Sequence, residues 1–188
     1  MKIAIIGWGS LIWDTRGLPI AGSWQDNGPE LPIEFSRISR DGRLTLVIDP
    51  KNGTPTKTLF ATSSRTSLEI AIEDLCGREG TVASKIGAIS IEEAPSINNQ
   101  IGMAVRAWCI SSGYDAAIWT ALESNFAKKT GHTFSNDTVI SYVKSVSKAV
   151  RAEIMKYVIN APLAVNTPIR RIIMEEFANP GLHGNRRE

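Results

Sequence analysis

Cysteine and histidine are scarce in this chain of 188 residues. The two cysteines, Cys76 and Cys109, form no C-x-x-C motif and cannot build the disulfide framework of a small secreted domain. We therefore expect reduced, buried thiols. The two histidines, His132 and His183, are far apart, and together with two distant cysteines they lack the close ligand spacing of a zinc site. These absences predict a protein that holds no metal.

Long apolar runs and a strong excess of one charge are also missing. The apolar run at the N-terminus meets Gly7 and Ser10 too soon for a signal sequence, and no stretch approaches the ~20 apolar residues of a membrane span. Lys plus Arg number 21 and Asp plus Glu number 19, so the formal net charge is only +2. This balance does not demand a nucleic-acid partner. We expect a cytoplasmic protein that binds neither membrane nor nucleic acid.

The composition that is present is that of an ordinary globular protein. Hydrophobic residues make up 43% of the chain and charged residues 21%, enough for one well-buried core. No internal repeat or linker divides the sequence. We therefore predict one domain over residues 1–188, with residues 179–188 as a mobile, charged tail.

Strand patterns dominate the first two thirds of the chain. Residues Lys2–Ile6 predict a strand buried on both faces, and Asp41-Gly42 predicts a type I′ turn between two strands of a hairpin. The irregular stretch Asp14–Glu30 is expected to be a functional loop, with Trp13 and Trp24 closing over a cleft. The remaining strands are predicted at Leu31–Arg40, Arg43–Ile48, Thr58–Ala61, Ile86–Ile91, Gly102–Ile110 and Ala116–Ala121.

Helical patterns occur once in the middle of the chain and then throughout its last third. The sequence Thr66-Ser67-Leu68-Glu69 has the form of a capping box, and Gly77 is placed to end that helix. Apolar stripes at helical spacing predict two helices over about 139–158. Thr167-Pro168 suits the start of a last helix, which Asn179-Pro180-Gly181 would stop. Strands first and helices last predict an α+β domain with about six strands.

The loop after the first strand carries the first candidate site. Gly7-Trp8-Gly9-Ser10-Leu11-Ile12 begins like a dinucleotide-binding fingerprint, but Ile12 stands at the third glycine position and no helix pattern follows. Two interpretations remain open. Either the glycines only permit a tight turn, or the amide groups of Gly9, Ser10 and Leu11 form an anion-binding nest.

Two short motifs in this sequence resemble a known family. Trp8-Gly9-Ser10-Leu11 resembles the Tyr-Gly-Ser-Leu loop of the gamma-glutamylcyclotransferase-like proteins, and Leu75–Gly80 resembles their Leu-x-x-x-Glu-Gly segment, whose catalytic glutamate would be Glu79. The motifs occur in the family's order. The resemblance implies a mixed, partly closed, barrel-like sheet with helices packed outside. It also implies an enzyme of acyltransferase or lyase type that needs no cofactor.

The resemblance further implies a reaction and a role for each matched residue. The loop amides hold the carboxylate or carbonyl of a γ-glutamyl group while the α-amine attacks the γ-carbonyl, giving 5-oxoproline and a free amine. Glu79 would act as acid and base. Two departures bear on substrate recognition: Trp8 replaces the family's tyrosine, and residues 81–87 lack the tyrosine that the family places on the next strand.

The chemistry itself explains why a carboxyl group is needed. An α-ammonium attacks only after losing a proton, the departing amine must gain one, and one carboxyl group within reach can do both. For Glu79 this requires a partly apolar pocket that raises its pKa toward neutral pH. The alternative is an exposed carboxylate past a helix end. Arg37 is expected to aim its guanidinium into the barrel mouth toward a carboxylate, the alternative being an exposed strand cation.

Other assignments of function are less well supported by the sequence. Ser10 as a nucleophile lacks a nearby base and a G-x-S-x-G elbow, and Trp108 and Trp119 are expected in the core. The apolar helix stripes indicate core or a contact between copies, so a homodimer is left open. Two other functions compete with the enzyme: a module that binds a small carboxylate without turnover, and a structural protein. The catalytic interpretation depends on whether Glu79 and the Gly9–Leu11 amides share one pocket.

Overall fold

The computed structural model describes residues 1–96 and 99–178, which form an α+β fold with two β-sheets and flanking helices. The α+β class predicted above is confirmed. The strands are β1 (Ile3–Gly7), β2 (Ile20–Gln25), β3 (Glu30–Ile38), β4 (Leu44–Ile48), β5 (Thr54–Lys57), β6 (Leu59–Ser63), β7 (Ile86–Ser90) and β8 (Ala116–Thr120). The α-helices are α1 (Leu68–Glu79), α2 (Gln100–Ser112), α3 (Phe126–Thr130), α4 (Asn136–Ser145), α5 (Lys148–Asn160) and α6 (Pro168–Ile173). A 3₁₀ turn at Ala83–Lys85 and a π-helical segment at Met174–Ala178 complete the described part.

Strand β1 lies at the centre of a mixed five-stranded sheet with the order β2-β6-β1-β8-β7. It pairs in parallel with β8 and antiparallel with β6. Because side chains alternate between the two faces of a strand, Ile3 and Ile5 lie in the core cluster beneath α1, and Ala4 and Ile6 lie in the larger cluster on the other face. Both faces are therefore covered, as the unbroken apolar sequence of this strand predicts.

A second sheet of three strands, in the order β4-β3-β5, replaces the predicted barrel. The described strands number eight rather than six, and they form two separate sheets with no closed barrel. The register of β3 against β4 shifts between Glu34 and Arg37, where β3 contains one residue more than its partner. Such a bulge bends the strand and changes the direction of the side chains that follow it.

The turn of this hairpin differs from the predicted type I′ turn. Only Gly42 has a positive φ, at 84°, whereas a type I′ turn needs positive φ at both central residues. The Gly42 amide donates to the Ser39 carbonyl and the Ser39 amide to the Arg43 carbonyl, which leaves a three-residue connection. Three-residue hairpin loops commonly place glycine at the left-handed position, so the glycine signal was right and the loop length was wrong.

The segment Gly102–Ile110, predicted as a strand, lies in helix α2. Its buried residues Gly102, Val105 and Cys109 recur at helical spacing, and the Asn99 side chain caps the helix by accepting a hydrogen bond from the Gly102 amide at 2.8 Å. Trp108 is therefore a half-buried helix residue, whereas Trp119 is buried on β8 as predicted.

Helix α1 also differs from its prediction at both ends. Ser67, and not Thr66, is its N-cap, and its hydroxyl accepts a hydrogen bond from the Ile70 amide. The helix continues through Gly77 to Glu79 and ends at Gly80, which adopts the left-handed conformation at φ 61°. This later end carries Glu79 on the last turn of the helix.

The stretch predicted as an irregular loop over residues 14–30 contains the edge strand β2. This strand pairs with β6 through an irregular register. Its own residues show no strand pattern, so it is the hydrogen bonds to β6 that make this segment a strand. Trp24 lies on β2 and packs against Gly7, and it is not among the residues that line the two cavities described below. The longer loop with a closing Trp24 is therefore wrong.

The helices of the last third follow their predicted stripes. Val139 and Val143 are buried on α4, Ile154 and Val158 are buried on α5, and Thr167 caps α6. The predicted stop at Asn179-Pro180-Gly181 and the tail at 179–188 lie outside the described residues. No described helix is long and apolar enough to cross a membrane.

One carboxyl group is fully buried beside these helices. The Glu34 Oε1 atom accepts hydrogen bonds from the Phe35 amide at 2.7 Å and from the Thr167 hydroxyl at 2.5 Å. Burial raises the pKa of Glu34, and these hydrogen bonds only partly oppose that effect. The nearby Asp49 raises it further, although the pKa of Asp49 itself is lowered, because the hydrogen bonds it accepts outweigh its burial.

The raised pKa of Glu34 predicts a pH-dependent stability. The native state binds the Glu34 proton more tightly than the unfolded state does, so this proton stabilises the native state. The stabilisation is complete below the ordinary glutamate pKa and is lost as the pH rises from there through the raised pKa of the native state. We expect Glu34→Gln to gain stability relative to the parent as pH rises, measured by urea unfolding across pH. Asp49→Asn should show the opposite slope, becoming relatively less stable as pH rises. Parallel profiles for the parent and Glu34→Gln would contradict this assignment.

Candidate active site

A cavity of about 760 Å³ lies where the loop after β1, the β3–β4 hairpin and the end of α1 meet. All six residues singled out by the sequence line it: Trp8, Gly9, Ser10, Leu11, Arg37 and Glu79. Residues 70 positions apart in the chain therefore face one hollow, as the sequence interpretation requires. The parallel pairing of β1 with β8 explains part of this convergence, because both strands end at the same edge of the sheet.

The loop after β1 forms a short helical turn. The Ile12 amide donates to the Gly9 carbonyl at 3.0 Å, and the Asp14 amide donates to the Ser10 carbonyl at 2.9 Å. The first amides of such a turn have no partner within it. The Ser10 amide donates instead to the Tyr157 hydroxyl at 3.3 Å. Of the three amides predicted to form a nest, that of Ser10 is thus already engaged by a side chain.

Glu79 is held at the cavity wall by two donors. Its Oε1 atom accepts hydrogen bonds from Arg78 Nη1 at 2.7 Å and from the Thr120 hydroxyl at 3.3 Å. The Glu79 side chain is 15% exposed, so it is not the solvated carboxylate of the alternative interpretation. Its surroundings are nevertheless polar and cationic, whereas the sequence interpretation required a partly apolar pocket.

Arg78 connects the end of α1 to the loop after β1. Its side chain is 3% exposed, and besides Glu79 it contacts the Asp14 carbonyl through Nε at 3.1 Å and through Nη2. Its Nη2 also lies 3.4 Å from the Ser10 hydroxyl. Sequence reasoning gave Arg78 no role. A basic residue in the last turn of a helix is ordinary, and its burial depends on partners from a distant loop.

Tyr157 is the second functional residue that the sequence interpretation missed. It lies on α5, where its place in an apolar stripe indicated only core packing, yet its hydroxyl reaches the loop at Ser10. Its ring meets those of Trp13 and Phe35 edge-on at 5.1 and 6.0 Å between centroids. Burial raises the pKa of Tyr157, so the phenol stays protonated at neutral pH.

The tryptophans near the site have different positions. Trp8 is buried, 5% exposed, and walls the cavity as its apolar ring suggests. Trp13 is 36% exposed and lines a smaller adjoining cavity of about 230 Å³, together with Tyr157. Of the two residues expected to close over a cleft, Trp13 thus lines one of the two cavities and Trp24 lines neither.

The opposite wall of the cavity is formed by the β3–β4 hairpin. Arg37 is half-buried, and its Nη1 donates to the Glu123 carbonyl at 2.7 Å. It thus faces the cavity and is not a freely exposed strand cation. Five arginines but only two carboxylates line the whole cavity: Arg16, Arg37, Arg40, Arg43 and Arg78, with Asp41 and Glu79. This excess of positive charge favours an anionic ligand.

Groups that hold metals or act as nucleophiles are not assembled in the described part of the chain. Within residues 1–96 and 99–178, no cluster of three or more His, Cys, Asp or Glu residues is arranged to hold a metal ion. Cys76 and Cys109 are both free, and burial raises the pKa of Cys109 to about 11, which makes it an unreactive thiol.

Comparisons of the chain with protein-family models, with curated proteins and with solved structures found no match. The assignment of a function therefore depends on the geometry of the cavity and on the motifs that line it.

The burial of Arg78 predicts a large effect on stability. Replacing Arg78 with leucine removes the side-chain donor of the Asp14 carbonyl and the cationic donor of the Glu79 carboxylate, which keeps only Thr120, and we expect the free energy of unfolding to fall by about 3 kcal/mol. The measurement is chemical denaturation. Arg65→Leu is the matched control, because Arg65 pairs with Asp74 at 2.7 Å on the surface, where such pairs contribute little. Equal losses for the two variants would show that Arg78 has no special structural role.

Gly9 and Tyr157 predict a coupled pair of substitutions. A Cβ atom at Gly9 would lie 2.5 Å from the Tyr157 hydroxyl oxygen but 3.5 Å from the ring carbon that carries it. We therefore expect Gly9→Ala to destabilise the parent by about 1–3 kcal/mol through overpacking. The same change should cost much less in the Tyr157→Phe background, where the clashing oxygen is gone. Additive losses in a double-mutant cycle would contradict this contact.

Proposed function

We propose that this protein cleaves γ-glutamyl amides by intramolecular attack of the α-amine, releasing 5-oxoproline and a free amine. The observation that supports the proposal most directly is that Glu79 lines the same cavity as the Gly9–Leu11 loop. The proposal therefore keeps the family resemblance of the two motifs and adds to it their convergence in space.

The reaction moves two protons from the α-ammonium to the departing amine, and one carboxylate can carry them one at a time. The α-ammonium gives its first proton to Glu79, and its nitrogen attacks the γ-carbonyl carbon. Glu79 passes that proton to the amide nitrogen, the bond between this nitrogen and the γ-carbon breaks, and the second proton goes from the new ring nitrogen to the departing amine by the same route. No oxidation or reduction occurs, and no further reactant enters the reaction.

The contacts of Glu79 suit this role because they fix the carboxylate without occupying all of it. Within the described residues, the hydrogen bonds that the Glu79 side chain accepts, from Arg78 and from Thr120, both end on Oε1. A carboxylate has acceptor sites on both oxygens, so Oε2 is left to receive a proton from the substrate. Arg78 and Thr120 are positioning residues in this scheme, since they hold the proton carrier in one orientation.

Charge that develops on the γ-carbonyl oxygen needs hydrogen-bond donors. The amides of Gly9 and Leu11 are the donors in the loop that the Tyr157 hydroxyl does not engage. Such preorganised donors contribute roughly 3 kcal/mol each in comparable sites. Tyr157 would hold the loop in its conformation through the Ser10 amide. Because the loop acts through its backbone amides, it does not require the side-chain hydroxyl that Trp8 lacks.

Arg37 is our candidate for binding a carboxylate of the substrate. A guanidinium has five N–H donors, and within the described residues only Nη1 of Arg37 forms a hydrogen bond, to the Glu123 carbonyl. The remaining donors can form the two parallel hydrogen bonds that carboxylates favour.

A module that binds a small carboxylate without turnover is the second candidate. It is favoured by one observation: the Glu79 carboxylate already forms an ion pair with Arg78 at 2.7 Å, which gives it a structural role that needs no reaction. The two candidates predict different outcomes in the same assay.

The proposal is tested by incubating the purified protein with a panel of γ-glutamyl amides and measuring 5-oxoproline. We expect turnover, and we expect Glu79→Gln to lower kcat by roughly 10²- to 10⁴-fold while the protein stays folded. Glu73→Gln is the control, because Glu73 is an exposed carboxylate on the same helix and lies outside the cavity.

The outcomes separate the two candidates. Turnover that survives Glu79→Gln removes Glu79 from the mechanism. Binding of a γ-glutamyl amide without any 5-oxoproline from the parent protein supports the binding module and overturns the proposed reaction.

A further inference from the structure

The tip of the β3–β4 hairpin presents arginines to the cavity, and the bond-forming and proton-transfer steps of the proposed reaction do not require them. Arg37 pairs across the sheet with Thr45, and Ser39 pairs with Arg43 through the Ser39 amide. Residues two apart on a strand, and residues directly opposite each other, share one face of a ribbon. These four residues therefore line the cavity together, and Arg40 joins them from the turn.

The charges of Arg37, Arg40 and Arg43, which we name the hairpin arginines, are only partly balanced. Arg43 pairs with Asp41 at 2.7 Å. Arg37 donates to the main-chain carbonyl of Glu123, whose carboxylate pairs with Lys85 and also interacts with the charge of Arg37. Within the described residues, the Arg40 side chain makes no hydrogen bond or ion pair. The three guanidinium groups and Lys85 thus share two carboxylates, Asp41 and Glu123, which leaves an excess of two positive charges at this wall.

The cavity also has more room than a γ-glutamyl group fills. A volume of about 760 Å³ is within the range of pockets that bind much larger molecules. Glu79 and the Gly9–Leu11 loop lie on the walls formed by α1 and β1, and the hairpin arginines lie on another wall. A substrate whose acyl group contacts Glu79 therefore has space to extend its amine portion toward the hairpin.

We propose that the hairpin arginines form a subsite for a doubly charged acidic group on the amine portion of the substrate. Guanidinium groups bind carboxylates and phosphates through paired, charge-assisted hydrogen bonds, so a dicarboxylate and a phosphate monoester share the required chemistry. Two uncompensated positive charges match a group that carries two negative charges. Assigning this subsite to the amine portion rests on the proposed function, whereas the binding of an anion there does not.

The first experiment measures anion binding without any reaction. Titration calorimetry at low ionic strength with inorganic phosphate, and separately with succinate, compares the parent with Arg40→Gln. We expect Arg40→Gln to weaken binding of at least one probe by about fivefold or more, since a charge-assisted contact is lost. Arg171→Gln is the matched control, because it removes the same charge from an exposed arginine on α6 that contacts Asn166.

The second experiment measures 5-oxoproline from substrates that differ only in the amine portion. The series is γ-glutamylethylamide, γ-glutamylalanine, γ-glutamylaspartate and γ-glutamylphosphoethanolamine, with none, one, two and about two negative charges on the amine portion. We expect kcat/KM to rise at least about tenfold from the neutral to a doubly charged member, and Arg40→Gln to remove most of that preference. Whether aspartate or phosphate gives the larger rise identifies the source of the charge.

The results distinguish failure of this inference from failure of the proposed reaction. Loss of phosphate or succinate binding in Arg40→Gln alone, with no 5-oxoproline from any amide, supports the subsite and rejects the reaction. Equal kcat/KM for neutral and doubly charged amides overturns the subsite although the reaction stands. Equal weakening of anion binding in Arg40→Gln and Arg171→Gln, or no binding by the parent, also overturns it.

Discussion

The buried guanidinium of Arg78 is the interaction on which the candidate site depends. It joins the end of α1, where it also holds the Glu79 carboxylate, to the turn at Ser10 and Asp14. A buried cation must have its donors satisfied, because an unpaired charge inside a protein is very costly. The turn and the carboxylate therefore keep their places relative to each other because Arg78 needs both. The same requirement gives the cavity a fixed wall, which a proton carrier needs if it is to serve a substrate bound beside it.

The sheet supplies the frame that brings these groups near one another. Strand β1 is covered on both faces, and it leaves the sheet at the same edge as β8. Thr120 at the end of β8 consequently lies close enough to contact Glu79, although the two residues are distant in sequence. The β3–β4 hairpin closes the remaining side with arginines toward its tip and with Leu46 and Val47 farther along β4. The cavity lining thus combines buried apolar side chains, such as Trp8 and Leu46, with an excess of arginines.

Sequence patterns predicted those parts of the fold that depend on local preferences. The burial of β1, the existence of the hairpin, and the helices at α4 and α5 followed from alternation, a turn signal and helical periodicity. The errors occurred where tertiary contacts decide. Gly102–Ile110 is rich in apolar residues, and its helical spacing becomes evident only from which of them are buried, namely Gly102, Val105 and Cys109. Strand β2 has few apolar residues and exists because β6 offers it a pairing edge.

The same division applies to the site. Glu79 and the Gly9–Leu11 loop belong to short motifs, so the sequence predicted them as candidates and the geometry shows that they line one cavity. Arg78 occupies an unspecified position of the Leu-x-x-x-Glu-Gly segment, and Tyr157 belongs to no motif. Arg78 resembles any basic residue near a helix end, and Tyr157 resembles any aromatic residue in an apolar stripe. Their importance comes from partners 68 and 147 residues away in the chain, which no local pattern reports.

The contact between Tyr157 and Ser10 also has a consequence for how the molecule is made. The turn after the first strand leaves the ribosome well before α5, the helix whose tyrosine hydroxyl accepts from the Ser10 amide. This hydrogen bond therefore cannot form until translation has passed the helix, and the final geometry of the turn is set after its own residues have been synthesised.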